Sequence, residues 1–433
     1  YTFLSSKFEN TNLQDIPHII KAILNIDFII LKVDKVSDAY DLFERVNARG
    51  ADLEVSDLLK NKLFSRVQSS DDKDVLTIWN RIRENADGNL VRMLKYFYVS
   101  QEGYVTRSQL YKNLKTKFGS DYERLILELD EFSEYYGMFQ KYSTHAEVES
   151  IVLNDDPEQY LLSADRQYHI FQCLNGLHLF GITQATPLFF SMLKAYKKLR
   201  LSEVRKHEYT IESFFRNIEN YHFINNYILT TVGNKVEKLY ANFSASFHKS
   251  NNESDFNNNL NNLYSELSNQ LQGQRELFIE EFEDLKYSRQ TNKMLYIFDR
   301  FNTKIKNNLV KQSEGSAPKI FLRKLTSRTG TNNIEHWLPQ GSNDDFNHYV
   351  HSIGNLLAIP VRLNSALNDK SPSEKYDLLK NEYSSDNTYK HNRLFIENYN
   401  PEVEWNRAKI EERARDLAVS AFDEYWNFKP KSY

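Results

Sequence analysis

The sequence predicts a mainly α, multi-domain protein. A partial α/β segment comes first, then a long helical middle, then a C-terminal strand–loop–strand–helix (ββα) unit. Three observations carry this. Helix breakers are scarce, with 13 Gly and 9 Pro in 433 residues, which leaves long stretches free to be helical. Apolar residues recur at helical spacing over most of the chain. Strand-like apolar runs are confined to residues 28–33 near the start and to two short stretches between 334 and 359.

Each element has its own warrant. Residues 28–33, Phe-Ile-Ile-Leu-Lys-Val, read as a strand. Tyr40, Phe43 and Val46 sit at helical spacing, Gly50 ends that helix, and Ser56 or Asp57 caps the next one over 58–64. From about 72 to 300, i, i+3, i+4 patterns recur around Trp79, Met93, Leu110, Leu188, Phe214, Phe278 and Leu295. Their aromatic stripes read as helical core rather than a base-stacking platform. The Asn-rich run 251–262 reads as a mobile or helix-flanking surface. Residues 304–328 hold seven Lys or Arg against one acid, Glu314, around a linker-like run at 312–318. That net of about +6 suits a phosphate-binding entrance, with Lys319, Arg323 and Lys324 on the phosphates; the alternative is a solvated linker. Near the end, 334–338 and 354–359 read as strands, and Pro360 can open a helix at its first position over 361–367. The domains expected are therefore 1–70, 71–303 and 304–433.

Bulk properties narrow the function. Hydrophobic residues are 40%, with 27 Tyr and 28 Phe, enough for packed cores. A net charge of −4 excludes a polyanion binder as a whole, so any nucleic-acid surface is local. The single cysteine, Cys173, excludes a disulfide framework and a Cys-based zinc site and suits a reducing cytoplasm; it reads as a buried core thiol. No apolar run reaches membrane-spanning length and no signal peptide is present, so the expectation is a cytoplasmic protein with no membrane partner. The chain opens on Tyr1 rather than Met, which reads as part of something longer.

The chemistry concentrates in Ile334-Glu335-His336 with Pro339, Ile353-Gly354-Asn355-Leu356, and Leu363-Asn364-Ser365, with Asn364 nine residues after Asn355. Phosphodiester hydrolysis needs a base for water, a divalent cation at the phosphate and a group that holds the base. His336 is the side chain that is neutral near pH 7 and able to take a proton. Asn355 offers a carbonyl to hold the imidazole N–H. Glu335 and an Asn amide offer the hard oxygens that Mg²⁺ or Mn²⁺ prefers. The helix puts Asn364 and Asn368 one turn apart, so either could be that amide. His348, His351 and His391 read as structural or, at most, substrate-contacting.

This set resembles an HNH (ββα-metal) nuclease motif. More widely, residues from about 318 to 426 resemble the C-terminal HNH domain of the GmrSD type IV restriction proteins. Lys375, Trp405, Ile410-Glu411-Glu412-Arg413, Leu417 and Trp426 join the motif in carrying that likeness, and Trp337 replaces a more usual small aliphatic. The resemblance implies metal-dependent DNA cleavage, with His336 the base, Asn355 its partner, and Glu335 and Asn364 linked to the metal. Residues 42–61 resemble the end of the ParB-like GmrSD N-terminal domain. Its upstream Asp-Gly-Gln-Gln-Arg motif, associated with nucleotide use, does not occur here. Asn47, Arg49 and Asp57 could line a nucleotide (GTP or ATP) or DNA pocket, or Gly50 and Asp57 simply end and cap helices. The function expected is an anti-phage or modification-dependent DNA endonuclease, a homo-oligomer if it makes double-strand breaks. The rivals are a non-catalytic DNA-binding module on a decayed nuclease fold and an RNA-directed nuclease.

Overall fold

A computed structural model describes residues 15–26, 59, 72–119, 121–140, 164–201, 210–231, 234–287, 291–303, 332–341, 347–382 and 390–430. Internal contacts divide the chain into two units, Tyr1–Asp72 and Lys73–Tyr433. In the first, the described element is helix α1 (Ile16–Leu24). The strand expected at 28–33 and the helix expected at 39–47 lie outside the described residues, as does the helix at 58–64 apart from Leu59.

The second unit is helical from its start. The order is α2 (Asp72–Asn85), α3 (Leu90–Glu102), α4 (Arg107–Phe118), α5 (Tyr122–Gln140), α6 (Ala164–Leu179), α7 (Thr186–Lys198) and α8 (Thr210–His222). There follow α9 (Asn234–His248), α10 (Glu253–Leu271), α11 (Arg275–Glu283) and α12 (Thr291–Thr303). α3 buries Met93, Leu94 and Phe97 on one stripe. It ends at Gly103, whose φ of 93° suits a residue without Cβ. α7 packs on α9 and α3, and α6 on α8. The aromatic stripes are core: Phe132 meets Phe97 at 5.7 Å and Phe190 at 4.9 Å, edge to face. Cys173 is buried, its thiol donating to Glu219 Oε2 at 3.7 Å, and burial pushes that thiol well above the usual range. The Asn-rich run differs from expectation. Asn252 caps α10 by accepting from Asp255 N at 2.8 Å, and the asparagines that follow lie within that helix. The cap and the Phe256, Leu260, Leu263 stripe decide for helix over composition.

The C-terminal part begins with β1 (Asn332–His336). A loop holds the short helix α13 (Asn347–Val350) and a 3-10 turn, Ile353–Asn355. β2 (Leu356–Pro360) pairs antiparallel with β1, Ile334 opposite Ala358 and His336 opposite Leu356. α14 (Val361–Leu367) follows at once and lies across both strands. Pro360 is its N-cap rather than its first residue. Then come α15 (Pro372–Glu382), α16 (Lys390–Asn398) and α17 (Arg407–Ser420).

The expected boundary at 303/304 is not a structural seam. α11 packs on α17, and α12 packs on α16, β1 and β2. The apolar faces of the last two middle helices are therefore covered by C-terminal elements. Phe301 meets Trp426 at 5.6 Å and stacks on His391 at 5.1 Å. A buried polar network crosses the same place. Arg300 pairs with Glu219 at 3.0 Å, and Tyr296 hydrogen bonds Glu219 while accepting from Trp426 Nε1 at 3.0 Å.

Candidate active site

The β1–β2 register carries Glu335 and His336 to the end of a strand that is buried on both faces. Side chains alternate along a strand, so Asn333 and Glu335 share one face. Both meet Asn364 on the first turns of α14. Asn364 Nδ2 donates to Glu335 Oε2 at 2.6 Å, and Asn364 Oδ1 accepts from Asn333 Nδ2 at 3.1 Å. Lys375, from α15, closes the arrangement. Its Nζ lies 2.6 Å from Glu335 Oε1 and donates to the His336 carbonyl at 2.6 Å, and its side chain is 0% exposed. Burial raises the Glu335 carboxyl and lowers the Lys375 amine, and in each case the partner's charge opposes the shift.

His336 turns the other way. Its Nε2 lies 3.2 Å from His351 Nδ1. The Gln340 amide nitrogen is 3.2 Å from both of its ring nitrogens on the exposed side. Tyr287 stands edge-on to the imidazole at 5.1 Å. Burial first, then the neighbouring His351 and Lys375, push the His336 pKa down to about 4, so the ring is neutral at neutral pH.

Asn355 does not reach that imidazole, which corrects the partnership expected for it. Its Oδ1 accepts from Leu338 N at 2.8 Å and from Trp405 Nε1 at 3.0 Å, and its Nδ2 donates to Leu338 O at 3.0 Å and Val350 O at 2.8 Å. All four bonds of the amide are engaged, and they fix the loop that leaves β1 behind His336. Asn368 is also elsewhere. It is exposed just past the end of α14 with φ 42° and ψ −133°, a combination that favours glycine. The helix ends before it, so the single face expected for Asn364 and Asn368 does not form. Lys319, Arg323, Lys324, Asn47, Arg49 and Asp57 lie outside the described residues.

The donor types fit a hard divalent ion. A carboxylate and an amide stand in contact, and the remaining positions would fall to water or phosphate oxygens. The charge is already balanced, since Glu335 faces an ammonium, and Asn364 turns its N–H rather than its oxygen to the carboxylate. Among the described residues no three His, Cys, Asp or Glu side chains form a metal cluster.

Sequence reasoning missed the site roles of Lys375, His351, Gln340 and Tyr287. Lys375 was visible only as part of the family likeness. The partnership of His351 depends on a loop conformation that no periodicity encodes. Trp337 is fully buried, edge-on to Phe395 and Tyr399 at 5.1 Å each, so its departure from the usual aliphatic is absorbed by packing.

Among the described residues no helix is long and apolar enough to cross a membrane. Comparison with curated proteins gives no match. Residues 272–419 match the family model of the GmrSD restriction endonucleases, C-terminal domain. The match starts at α11, upstream of the stretch that the motifs mark out, and so takes in the two helices whose apolar faces the C-terminal elements cover. Over that stretch, which is less than half of its length, the chain is similar to the C-terminal domain of the GmrSD restriction endonucleases.

Proposed function

We propose that the C-terminal domain hydrolyses DNA phosphodiester bonds as an HNH endonuclease that restricts phage or modified DNA. The observation that carries the reading is the placing of a neutral imidazole, His336, one residue from the buried Glu335–Asn364 pair. His336 takes a proton from water, and the resulting hydroxide attacks phosphorus as the P–O bond to the leaving oxygen breaks. Lys375 and α14 hold Glu335 in place from either side. Glu335 and Asn364 would hold Mg²⁺ or Mn²⁺, with the Lys375 ammonium yielding the carboxylate and the Asn364 amide turning its oxygen inward. Such an ion supplies Lewis-acid stabilisation of the phosphate and the leaving oxygen.

The test is His336→Ala, with folding checked by circular dichroism. DNA binding should survive while nicking falls by about 10²–10⁴-fold, the usual contribution of a general base. Wild-type cleavage by that variant would end the HNH reading, and full activity in excess EDTA would end the metal assignment. Running DNA and RNA side by side, plain and modified, with and without GTP or ATP, separates this reading from an RNA-directed nuclease and tests the nucleotide. Absence of any magnesium-dependent nicking would favour the non-catalytic module.

A further inference from the structure

A general base works through one ring nitrogen, and the other must be held so that the correct tautomer faces water. Asn355 is fully engaged elsewhere, which leaves the question of what holds His336. Two groups reach His336 Nε2 at 3.2 Å, the Gln340 amide nitrogen, which can only donate, and His351 Nδ1, which can accept; the two imidazole rings stand at 86° and 5.2 Å apart.

His351 is itself firmly placed. Its carbonyl accepts from Tyr287 N at 2.6 Å, and two residues on, Ile353 N donates to Leu285 O at 2.9 Å. The Lys286–Ser352 bridge joins the same two segments. The Tyr287 ring stands edge-on to His336 and lies near-parallel to His351, at 20° and 6.3 Å. One aromatic ring thus orients both imidazoles, and the loop before β2 is tied to the segment after α11.

We infer that His351 is the positioning residue for His336, an inference that rests on His336 being the base. His351 carries its proton on Nε2 and accepts the His336 Nε2–H on its Nδ1. The His336 Nδ1 lone pair then remains for water. When a water O–H bond breaks, the proton goes to Nδ1, the hydroxide keeps the electron pair, and the imidazolium so formed keeps its Nε2–H on His351. Gln340, exposed and within reach of Nδ1, donates there until substrate and water displace it.

The experiment compares His351→Ala, His351→Asn and His336→Ala in the full chain. Its readouts are single-turnover nicking in magnesium, DNA affinity, and the ¹⁵N signals of the His336 ring. Asn is the conservative variant because its Oδ1 lies where Nδ1 was and accepts the same bond. His351→Ala should slow nicking about 10–100-fold, the range for loss of such an orienting partner, with DNA affinity unchanged, and His351→Asn should recover most of the rate. In the wild type, ¹⁵N shifts should show His336 protonated at Nε2 and bare at Nδ1. A bare Nε2 overturns the proposal even if His351→Ala does not fold. Wild-type rates in both His351 variants, with His336→Ala inactive, overturn it while sparing the base. Equal slowing in Ala and Asn with unchanged His336 signals overturns it too. A fully active His336→Ala overturns the HNH reading on which the proposal rests.

Discussion

Lys375 and Asn355 show how much a buried polar residue can hold in place. Lys375 places one ammonium between the Glu335 carboxylate and the His336 carbonyl with no exposure to solvent. Removing one partner of such a pair strands a charge, at a cost of about 3–5 kcal/mol, whereas removing both is far less harmful. Lys375→Met should therefore destabilise by about that much, and Glu335→Gln with Lys375→Met should recover most of the loss. Denaturant unfolding of the two singles and the double measures this; equal losses in Lys375→Met and the double would show that the pair is uncoupled. Asn355→Ala strands two donors, Leu338 N and Trp405 Nε1, and two carbonyls, those of Leu338 and Val350. At roughly 1–3 kcal/mol for each group left unsatisfied, it should lose at least about 2 kcal/mol. A variant of wild-type stability with a purely kinetic defect would contradict that role. Sequence alone identified Asn355 as important. Its four bonds follow from the 3-10 turn, which nothing in the local pattern announces.

At the scale of elements, the site depends on how closely α17 approaches the turn before β2. A Cβ on Gly354 would lie 2.0 Å from the Ile410 carbonyl oxygen and 2.9 Å from Ala414 N, both backbone atoms of α17. Arg413 of the same helix donates to the Gly354 and Leu356 carbonyls at 2.6 and 3.0 Å. Gly354→Ala must push the helix off the turn. It should cost about 3 kcal/mol, the upper end for overpacking, and lower activity as well; an unchanged melting temperature would refute the close approach. Asn368, at φ 42°, should accept Gly without loss, whereas a β-branched residue there should cost about 1–2 kcal/mol. Asn368→Gly should leave the magnesium response intact and Asn364→Ala should weaken it; the reverse would make Asn368 the ligand. The strand–loop–strand–helix order was legible because local signals agree: apolar runs, Gly-Asn, and a proline before an apolar face. What could not be read was tertiary. The positions of Lys375 on α15 and of His351 opposite His336 are set by packing between elements remote in sequence. The helix through the Asn-rich run was legible in its apolar stripe, but composition outweighed it.

Across the whole molecule, buried ionisable groups set how stability responds to acid. Burial holds His222 at about 4, His336 at about 4 and His391 at about 3, the last also depressed by the Arg413 cation; His178 and His248 are lowered too. In the unfolded chain these rings return to about 6.5. Between about pH 6.5 and 4 the unfolded state therefore binds more protons than the native one, and acid draws the equilibrium toward it. Asp299 works in the opposite sense. Burial raises it to about 8, against the pull of Arg300. It favours the native state below the unfolded value of 3.8, and that contribution is lost as pH rises through about 8. Several histidines outweigh that carboxyl below pH 6.5, and above it their contribution is spent while that of Asp299 is still being lost. Unfolding free energy should thus peak near neutrality, fall steeply toward pH 4 and decline gently toward pH 8. His222→Gln should flatten the acid limb, since Gln keeps a partner for Tyr240 and Asn226 without titrating. Asp299→Asn should remove the alkaline decline. Denaturant melts across pH 4–8 decide it, and stability that holds or rises on acidification from 6.5 to 4 would show that these imidazoles are not buried neutral.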